Sequence, residues 1–405
     1  MLYKAYQLQS DFMKPVRAMA DATAAMLNQP AINDLDWPPL RQMAAAFEMV
    51  SRAGLAHTRL AFGIDSVRVG NKDVAVTEEV TFSTPFSSLL HFKKDHVADQ
   101  PRVLLIAPLS GHFSTLLRHT VEVMLPDNDV YITDWHNARD ISTDDGRFGF
   151  DEYLDHVIRF LEEIGPGAHL VSVCQPCAHA LAAVAVMAQT NNPAQPASMT
   201  MMAGPIDTRI NPSAVNDLAT AHSIKWFERN LISRVPAGFA GAGRRVYPGF
   251  IQLNAFVSMN PKRHINTHID MFGQLATGDT AKAEHNKEFY DEYFSVLDLT
   301  AEFYLETVQY VFQEYRLPKG ELTWHGEKVD PAAIRKTALL TIEGERDDIC
   351  PVGQTMAAHD LCPNIPARKK HHHLQASVGH YGVFSGSHWS GEIYPILRNT
   401  IIAND

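Results

Sequence analysis

The stretch that most constrains this chain runs from Ala168 to Gln189 and reads AHLVSVCQPCAHALAAVAVMAQ. Residues 169–173 are a short apolar run with β-branched side chains, which predicts a buried parallel strand. The Ala-rich, apolar segment 180–187 predicts a helix packed against the sheet. Cys174 lies between them, with no room for a long loop. The pattern therefore predicts a sharp strand-to-helix turn that presents a thiol.

These residues alone leave three interpretations of Cys174. A nucleophile on a strand-to-helix turn is the elbow of α/β-hydrolases, written G-x-S-x-G, and residues 172–176 read SVCQP in those five positions. The nucleophile would then be a thiol, with both glycines replaced. Cys174 and Cys177 also form a C-x-x-C pair at the start of a helix, as in thioredoxin-like redox proteins. In the third interpretation Cys174 is a small apolar core residue.

The composition argues against several classes of protein. The net charge of −11 argues against a nucleic-acid binder, because phosphate recognition needs a basic surface. No apolar run is long enough to span a bilayer, and the first residues lack the apolar core of a signal peptide. Four cysteines in 405 residues do not form a disulfide framework, which suits a reducing cytoplasm. Three adjacent histidines, 371–373, point to alternate faces of an extended chain, so we predict no metal site.

The order of predicted elements indicates an α/β fold. Short apolar strands alternate with helices, which is the pattern of a mostly parallel, doubly wound sheet. The predicted parallel strands are 102–108, 129–135, 169–173, 198–203, 337–342 and 370–375, preceded by a hairpin over 74–92 that is broken at Thr84-Pro85. We assign 73–205 and 331–405 to an α/β-hydrolase core. Residues 206–330 interrupt the alternation of strands and helices and are rich in aromatic side chains at helical spacing. We predict that this segment is a cap or lid.

The first 72 residues are predicted to be a helical extension. Residues 3–27 carry apolar side chains at helical spacing, and 40–54 predict a second helix. The apolar positions of the first helix are Phe12, Val16, Met19, Ala22 and Met26. These helices need a partner surface, and nothing in them indicates chemistry.

A loop directly after the strand at 102–108 is the candidate oxyanion-binding loop. In α/β-hydrolases one N–H comes from such a loop and the other from the residue after the nucleophile. We therefore predict that Ser110, Gly111 and His112 lie near the site, and that the Gln175 N–H is the second donor.

Two later segments could supply the partners of a catalytic thiol. The strand at 337–342 ends in EGERDDICP, where a carboxylate could orient an imidazole; spacing favours Asp347, with Asp348 as the competitor. His380 lies on a glycine-flanked loop after the last predicted strand and before a terminal helix over 392–401. The order Cys174, Asp347, His380 matches the nucleophile–acid–His order of α/β-hydrolases.

Four segments together resemble the intracellular poly(3-hydroxybutyrate) depolymerases. They are SVCQPCA at the elbow, YITDWHNARDI (131–141), EGERDDICP (343–351) and GHYGVFSGSHWSGEIYP (379–395). The resemblance implies that Cys174, Asp347 and His380 are catalytic. It also implies a cytoplasmic enzyme that acts at the surface of polymer granules. The related polyester synthases carry G-x-C-x-G-G at the elbow, where this chain has Pro176 and Cys177.

The expected reaction is cleavage of polymer esters through a thioester acyl-enzyme, with release of 3-hydroxybutyrate. It needs no cofactor, although coenzyme A is an open alternative to water as acyl acceptor. A synthase-like acyltransferase and a C-x-x-C redox protein remain the competing functions, and a homo-oligomer is left open.

Overall fold

The computed structural model of the chain describes residues 2–33, 35, 37–95, 99–259 and 261–405. Its strands are β1 (Ser66–Val69), β2 (Lys72–Ser83), β3 (Ser87–Lys94), β4 (Arg102–Ile106), β5 (Asp129–Trp135), β6 (His169–Val173), β7 (Ser198–Met202), β8 (Ser233–Arg234), β9 (Arg245–Tyr247), β10 (Leu299–Thr300), β11 (Thr323–Trp324), β12 (Glu327–Lys328), β13 (Ala338–Gly344) and β14 (Lys370–Gln375). Within the described residues the main sheet has nine strands in the order β1-β2-β3-β5-β4-β6-β7-β13-β14.

The helices flank this sheet or build the regions before and within it. They are α1 (Leu2–Leu27), α2 (Pro30–Asn33), α3 (Pro38–Arg52), α4 (Arg118–Met124), α5 (Phe150–Ile164), α6 (Cys177–Gln189), α7 (Ala214–Ala221), α8 (Ile224–Leu231), α9 (Gly249–Met259), α10 (Pro261–Thr277), α11 (Thr280–Tyr293), α12 (Ala301–Thr307), α13 (Arg316–Lys319), α14 (Ala358–Leu361), α15 (Gly386–His388) and α16 (Tyr394–Ile402). None of the described helices has an apolar stretch sufficient to cross a bilayer.

The sheet is antiparallel at one edge and parallel through the remainder. Strands β1 to β3 pair antiparallel and join β5, whereas β5, β4, β6, β7, β13 and β14 pair parallel. Every residue of β6, β7 and β13 is buried, because helices cover both faces of a parallel sheet. This is an α/β-hydrolase fold, as predicted, and the predicted parallel strands lie within two residues of those observed.

The sheet begins earlier in the chain than the predicted boundary at residue 73. Strand β1 pairs with β2 across a turn at Gly70, whose φ of +59° suits glycine. Residues 66–69 therefore belong to the sheet and not to the helical extension. The terminal helix also begins at Tyr394 instead of residue 392, after a π-helical turn over Trp389–Ile393.

Helix α1 buries a different face from the one that apolar spacing indicated. Its buried residues are Tyr3, Ala20, Ala24 and Leu27. The large apolar side chains are exposed instead: Leu8 72%, Phe12 76%, Val16 41%, Met19 73% and Met26 51%. At 100° per residue these five positions fall on one stripe of the helix. The small residues fit close packing against α3, so the stripe, which we call the α1 apolar stripe, faces outward.

The buried carboxylate of Asp298 links helix α1 to the start of helix α9. The Tyr3 hydroxyl of α1 donates to Asp298 Oδ2 at 2.6 Å, and the Gly249 N–H at the start of α9 donates to Asp298 Oδ1 at 2.9 Å. Asp298 is completely buried, and this burial raises the pKa of its carboxyl to about 6. The contact ties the N-terminal helix to the segment 206–330.

Candidate active site

Cys174 occupies a strained turn between β6 and α6. Its φ is +65°, in the left-handed region that a non-glycine residue rarely adopts. The Cys174 N–H donates to the Met202 carbonyl at 2.8 Å, which holds the turn against the neighbouring strand. A nucleophile on this kind of strained turn projects from the end of the sheet.

The glycine that makes room for this turn comes from elsewhere in the chain. A Cβ on Gly204, just after β7, would overlap both Cβ and Sγ of Cys177 and would lie 2.8 Å from the Cys174 carbonyl oxygen. The positions that are glycine in G-x-S-x-G are here Ser172 and Pro176. Sequence reasoning missed Gly204 because only the folded sheet brings it beside the elbow.

The structure brings Cys174, His380 and Asp347 together. His380 Nε2 lies 3.1 Å from Cys174 Sγ, and His380 Nδ1 lies 2.7 Å from Asp347 Oδ2. Asp347 Oδ1 accepts the N–H groups of Ile349 and Cys350 at 2.9 and 2.8 Å, which fix the carboxylate. Asp348 is exposed and does not share these contacts. Of the two aspartates, Asp347 is the one that contacts the imidazole.

The electrostatics of the site favour a charged imidazole. Burial alone would lower the pKa of His380, but the adjacent Cys174 and Asp347 outweigh it and hold that pKa well above its usual value. His380 Nε2 lies where it can take the proton of the Cys174 thiol, and the thiolate is the nucleophilic form of cysteine. The three side chains can therefore deliver a thiolate next to a proton donor.

Cys177 does not resemble the second thiol of a redox pair. Both cysteines are free thiols. Cys177 is fully buried, its Sγ donates to the Ser172 carbonyl at 3.3 Å, and burial raises its pKa to about 12. A disulfide exchange centre needs accessible thiolates of low pKa. These features disfavour the C-x-x-C interpretation.

The predicted loop of Ser110, Gly111 and His112 lies against the segment 206–330. The Gly111 carbonyl accepts the Leu297 N–H at 2.9 Å, and a Cβ on Gly111 would lie 2.7 Å from Cγ of Gln252 in α9. His112 is buried, with Nε2 3.2 Å from the Tyr293 carbonyl oxygen. Ser110 is half-buried. Their role in binding an oxyanion stays a prediction.

One backbone donor of this loop contacts the elbow and was missed by sequence reasoning. The Leu109 N–H donates to Oε1 of the Gln175 side chain at 3.2 Å. Gln175 is also the residue whose own N–H was predicted to bind the oxyanion. This hydrogen bond holds the loop against the elbow, and no sequence signal marks it, because the direction of a loop N–H depends on tertiary folding.

An aromatic cluster from the segment 206–330 packs next to the imidazole. The rings of His380 and Tyr381 lie 5.8 Å apart, and Tyr381 in turn lies 6.4 Å from both Phe289 and Tyr293 of α11. These rings form an aromatic wall beside the imidazole. Among the described residues no group of three or more His, Cys, Asp or Glu side chains could hold a metal ion.

Residues 203–405 match the family model described as "PHB de-polymerase C-terminus". The chain belongs to this family. The matched half contains Asp347 and His380, whereas Cys174 lies before it. A curated relative, the poly(3-hydroxyalkanoate) polymerase subunit PhaC of Haloferax mediterranei, is 22% identical over 370 residues, which are 89% of this chain and 69% of the relative.

Solved structures similar to this chain include hydrolases. A monoacylglycerol lipase of Paleococcus ferrophilus has a TM-score of 0.44 and 13% identity, covering 76% of this chain and 96% of its own. An esterase of Thermogutta terrifontis has a TM-score of 0.41 and 12% identity, covering 80% and 98%.

Proposed function

We propose that this protein is a depolymerase of stored poly(3-hydroxybutyrate) that uses Cys174 as its nucleophile. The observation that carries the proposal is the hydrogen-bonded series Cys174–His380–Asp347, in a chain of the PHB de-polymerase C-terminus family. The substrate class follows from the family, and the reaction type from a thiol, a base and a carboxylate in contact at the elbow.

In the first half-reaction His380 Nε2 takes the proton of Cys174, and the thiolate attacks the carbonyl carbon of a polymer ester. The carbonyl electron pair moves to oxygen and returns as the ester C–O bond breaks. The leaving alkoxide takes the proton from His380, so one chain end departs as an alcohol. The acyl group stays on Cys174 as a thioester, and Asp347 keeps the imidazole oriented.

In the second half-reaction water is the acceptor. His380 removes a proton from water, the resulting hydroxide attacks the thioester, and Cys174 leaves as a thiolate that recovers its proton. No cofactor is needed. The N–H groups of Gln175 and of the loop at 110–112 are proposed to hold the oxyanion in both steps, and one such donor contributes about 3 kcal/mol.

The proposal places the protein at the surface of polymer granules in the cytoplasm. The α1 apolar stripe, formed by Leu8, Phe12, Val16, Met19 and Met26, supports this because it exposes large apolar side chains that an apolar polyester surface would cover. The segment 206–330, whose Phe289 and Tyr293 pack near Tyr381, is proposed to be the lid that admits a polymer chain.

The deciding assay measures products from amorphous poly(3-hydroxybutyrate), with and without coenzyme A. We expect free 3-hydroxybutyrate from the wild-type protein and at least a ~10³-fold loss of release in Cys174→Ala. Cys177→Ala is the matched control and should retain activity within a few-fold, because its thiol is buried away from the substrate. Equal loss in both variants would support a redox protein instead. Appearance of 3-hydroxybutyryl-coenzyme A would assign thiolysis.

Polymer synthesis is the second candidate, favoured by the similarity to the Haloferax mediterranei polymerase subunit. Against it, Pro176 and Cys177 stand where the synthases carry glycines. Supplying 3-hydroxybutyryl-coenzyme A separates the two functions. Formation of insoluble polymer, abolished by Cys174→Ala, would replace depolymerisation as the assignment.

A further inference from the structure

A pocket of about 420 Å³ lies between α1, the chain just after α3 and the loop that precedes β9. Its charged and amide-bearing lining comes from α1 and from two residues elsewhere in the chain: Gln7, Asp11, Lys14 and Arg17, with His57 and Arg139. The pocket shares no lining residue with the Cys174 site. It is therefore a separate cavity whose chemistry the proposed reaction does not use.

The pocket is positively charged in a strongly acidic protein. Three cationic side chains (Lys14, Arg17, Arg139) line it against one carboxylate, Asp11, although the whole chain carries a net charge of −11. Lys14 pairs with Asp11 at 2.7 Å, and Arg139 has a 3.7 Å ion pair to Asp140 outside the lining, so Arg17 is the lining cation without a carboxylate partner among the described residues. Burial lowers the pKa of His57 to about 3, so its ring is neutral near pH 7 and adds no charge.

The two arginines are only partly satisfied. Arg139 is 12% exposed, stacks on Phe239 with 4.6 Å from the guanidinium carbon to the ring centre, and has a 3.7 Å ion pair to Asp140. Its buried Nε has no hydrogen-bond partner among the described residues. Arg17 donates to the Ser10 carbonyl at 3.3 Å and has no carboxylate partner in the described part of the chain. A planar carboxylate is a suitable acceptor for such groups.

An unsatisfied acceptor lies in the same pocket. Gln7 Nε2 donates to Asp11 at 3.0 Å, which fixes the orientation of the carboxamide. Gln7 Oε1 is buried and finds no hydrogen-bond donor within the described ranges. A buried acceptor left unpaired costs free energy, and a hydroxyl group of a ligand would satisfy it.

We propose that this pocket binds a small hydroxylated carboxylate, with its carboxylate held by Arg139 and Arg17 and its hydroxyl donating to Gln7 Oε1. The inference rests on the pocket alone and stands whether or not Cys174 is a nucleophile. The proposed depolymerase product, 3-hydroxybutyrate, belongs to this class of ligand.

The pocket wall is connected to the active-site loop through the backbone. The Ala56 N–H donates to the Phe294 carbonyl at 3.0 Å, and the Val296 N–H donates to the Ala56 carbonyl at 2.9 Å. The next residue, Leu297, donates to the Gly111 carbonyl. Backbone hydrogen bonds therefore link the wall of the pocket to the loop beside the elbow.

Titration calorimetry on the 405-residue chain tests the proposal with three probes: 3-hydroxybutyrate, butyrate and inorganic phosphate. We expect 3-hydroxybutyrate to bind about tenfold more tightly than butyrate, since butyrate leaves Gln7 Oε1 unpaired. Arg17→Gln should weaken 3-hydroxybutyrate binding by at least about tenfold. Gln7→Met should bring the affinities for 3-hydroxybutyrate and butyrate together. Lys4→Gln, on the same helix outside the pocket, is the control and should bind as wild type.

Product bound at the Cys174 site would not respond to Arg17→Gln or Gln7→Met, so these variants separate the two locations. Both substitutions lie on the partly exposed side of α1 and avoid the more buried Arg139. Equal affinity for butyrate and 3-hydroxybutyrate in wild type overturns the proposal. So does tighter binding of inorganic phosphate, or wild-type binding of 3-hydroxybutyrate by Arg17→Gln.

Discussion

A left-handed conformation at Cys174 costs roughly 1–3 kcal/mol and persists only where the surroundings enforce it. Gly204 is one of these surroundings, since it lies against both Cys174 and Cys177. We expect Gly204→Ala to destabilise the protein by about 1–3 kcal/mol, because its Cβ would overlap Cys177, and to reduce activity by displacing the elbow. Chemical denaturation and ester-hydrolysis rates measure the two effects.

Gly273→Ala is the matched control for this substitution. Gly273 lies inside α10, a Cβ there would meet nothing within 4 Å, and its φ is not positive. Alanine should raise stability slightly, since glycine is unfavourable in a helix interior. If Gly204→Ala behaves like Gly273→Ala, close packing does not hold the elbow.

The pH dependence of activity should show whether Asp347 is the carboxylate that raises the pKa of His380. Asp347 and Cys174 together hold the pKa of His380 above its usual value, so Asp347→Asn removes one of the two causes. The imidazolium then loses its proton at lower pH, and the alkaline limb of kcat/KM should move to lower pH. The rate should also fall by roughly 10³–10⁴-fold through loss of ring orientation.

Asp348→Asn makes the same chemical change on the exposed neighbour. It should leave the profile and the rate close to wild type. A larger effect from Asp348→Asn than from Asp347→Asn would reverse the choice between the two carboxylates.

At the scale of elements, the α1 apolar stripe carries a prediction about granules. Phe12 and Met19 are its most exposed members, at 76% and 73%. Burying such a side chain stabilises a contact by about 1.5–3 kcal/mol. The double variant Phe12→Gln/Met19→Gln should therefore bind amorphous granules at least ~10-fold less tightly in a sedimentation assay.

Hydrolysis of a soluble hydroxybutyrate ester should be unchanged in this double variant, since neither residue contacts the Cys174 site. Gln9→Ser, an exposed polar change on the same helix, is the control. Granule binding equal to wild type would show that another surface makes the attachment.

The same helix shows how far the sequence can predict the fold. Parallel strands were predictable because residues such as 169–173 are apolar with little interruption and end at turns. The packing of α1 was not predictable from the sequence. Periodicity identifies an apolar face, but it does not show whether the large or the small residues of the helix contact the neighbouring helix. Here Ala20 and Ala24 allow close contact, so the larger side chains remain outside.

The candidate site likewise contains residues that could be predicted from the sequence and residues that could not. Cys174, Asp347 and His380 each follow a strand, and the carboxyl ends of parallel strands meet at one edge, so their proximity was predictable. The roles of Gly204 and of the Leu109 N–H could not be predicted. Their importance depends on Cβ clearance and on the direction of one backbone N–H, which exist only in the folded chain.

At the scale of the whole molecule, Asp298 predicts a pH-dependent stability. Its folded pKa of about 6 exceeds the unfolded value of about 3.9, so its contribution is fully present below pH ~4 and is lost as pH rises through about 6. The variant Asp298→Asn carries an amide that cannot ionise. The unfolding free energy of wild type minus that of Asp298→Asn should fall by about 2–3 kcal/mol between pH ~4 and ~7.

Urea unfolding of both proteins across this range gives the difference directly, because the other titrating groups cancel. A difference that does not change with pH would mean that the carboxyl ionises as easily in the folded protein as in the unfolded chain.

The Tyr3–Asp298–Gly249 contact has a practical consequence for handling the protein. Proteolytic trimming that removes Tyr3 would leave Asp298 with the Gly249 N–H but without the Tyr3 hydroxyl. The first turn of α9 would then be held by a carboxylate that has lost a donor, close in sequence to the Val296 backbone that hydrogen-bonds Ala56. A chain trimmed past Tyr3 should therefore differ in turnover from the intact chain, although the cut lies nowhere near the thiol in sequence.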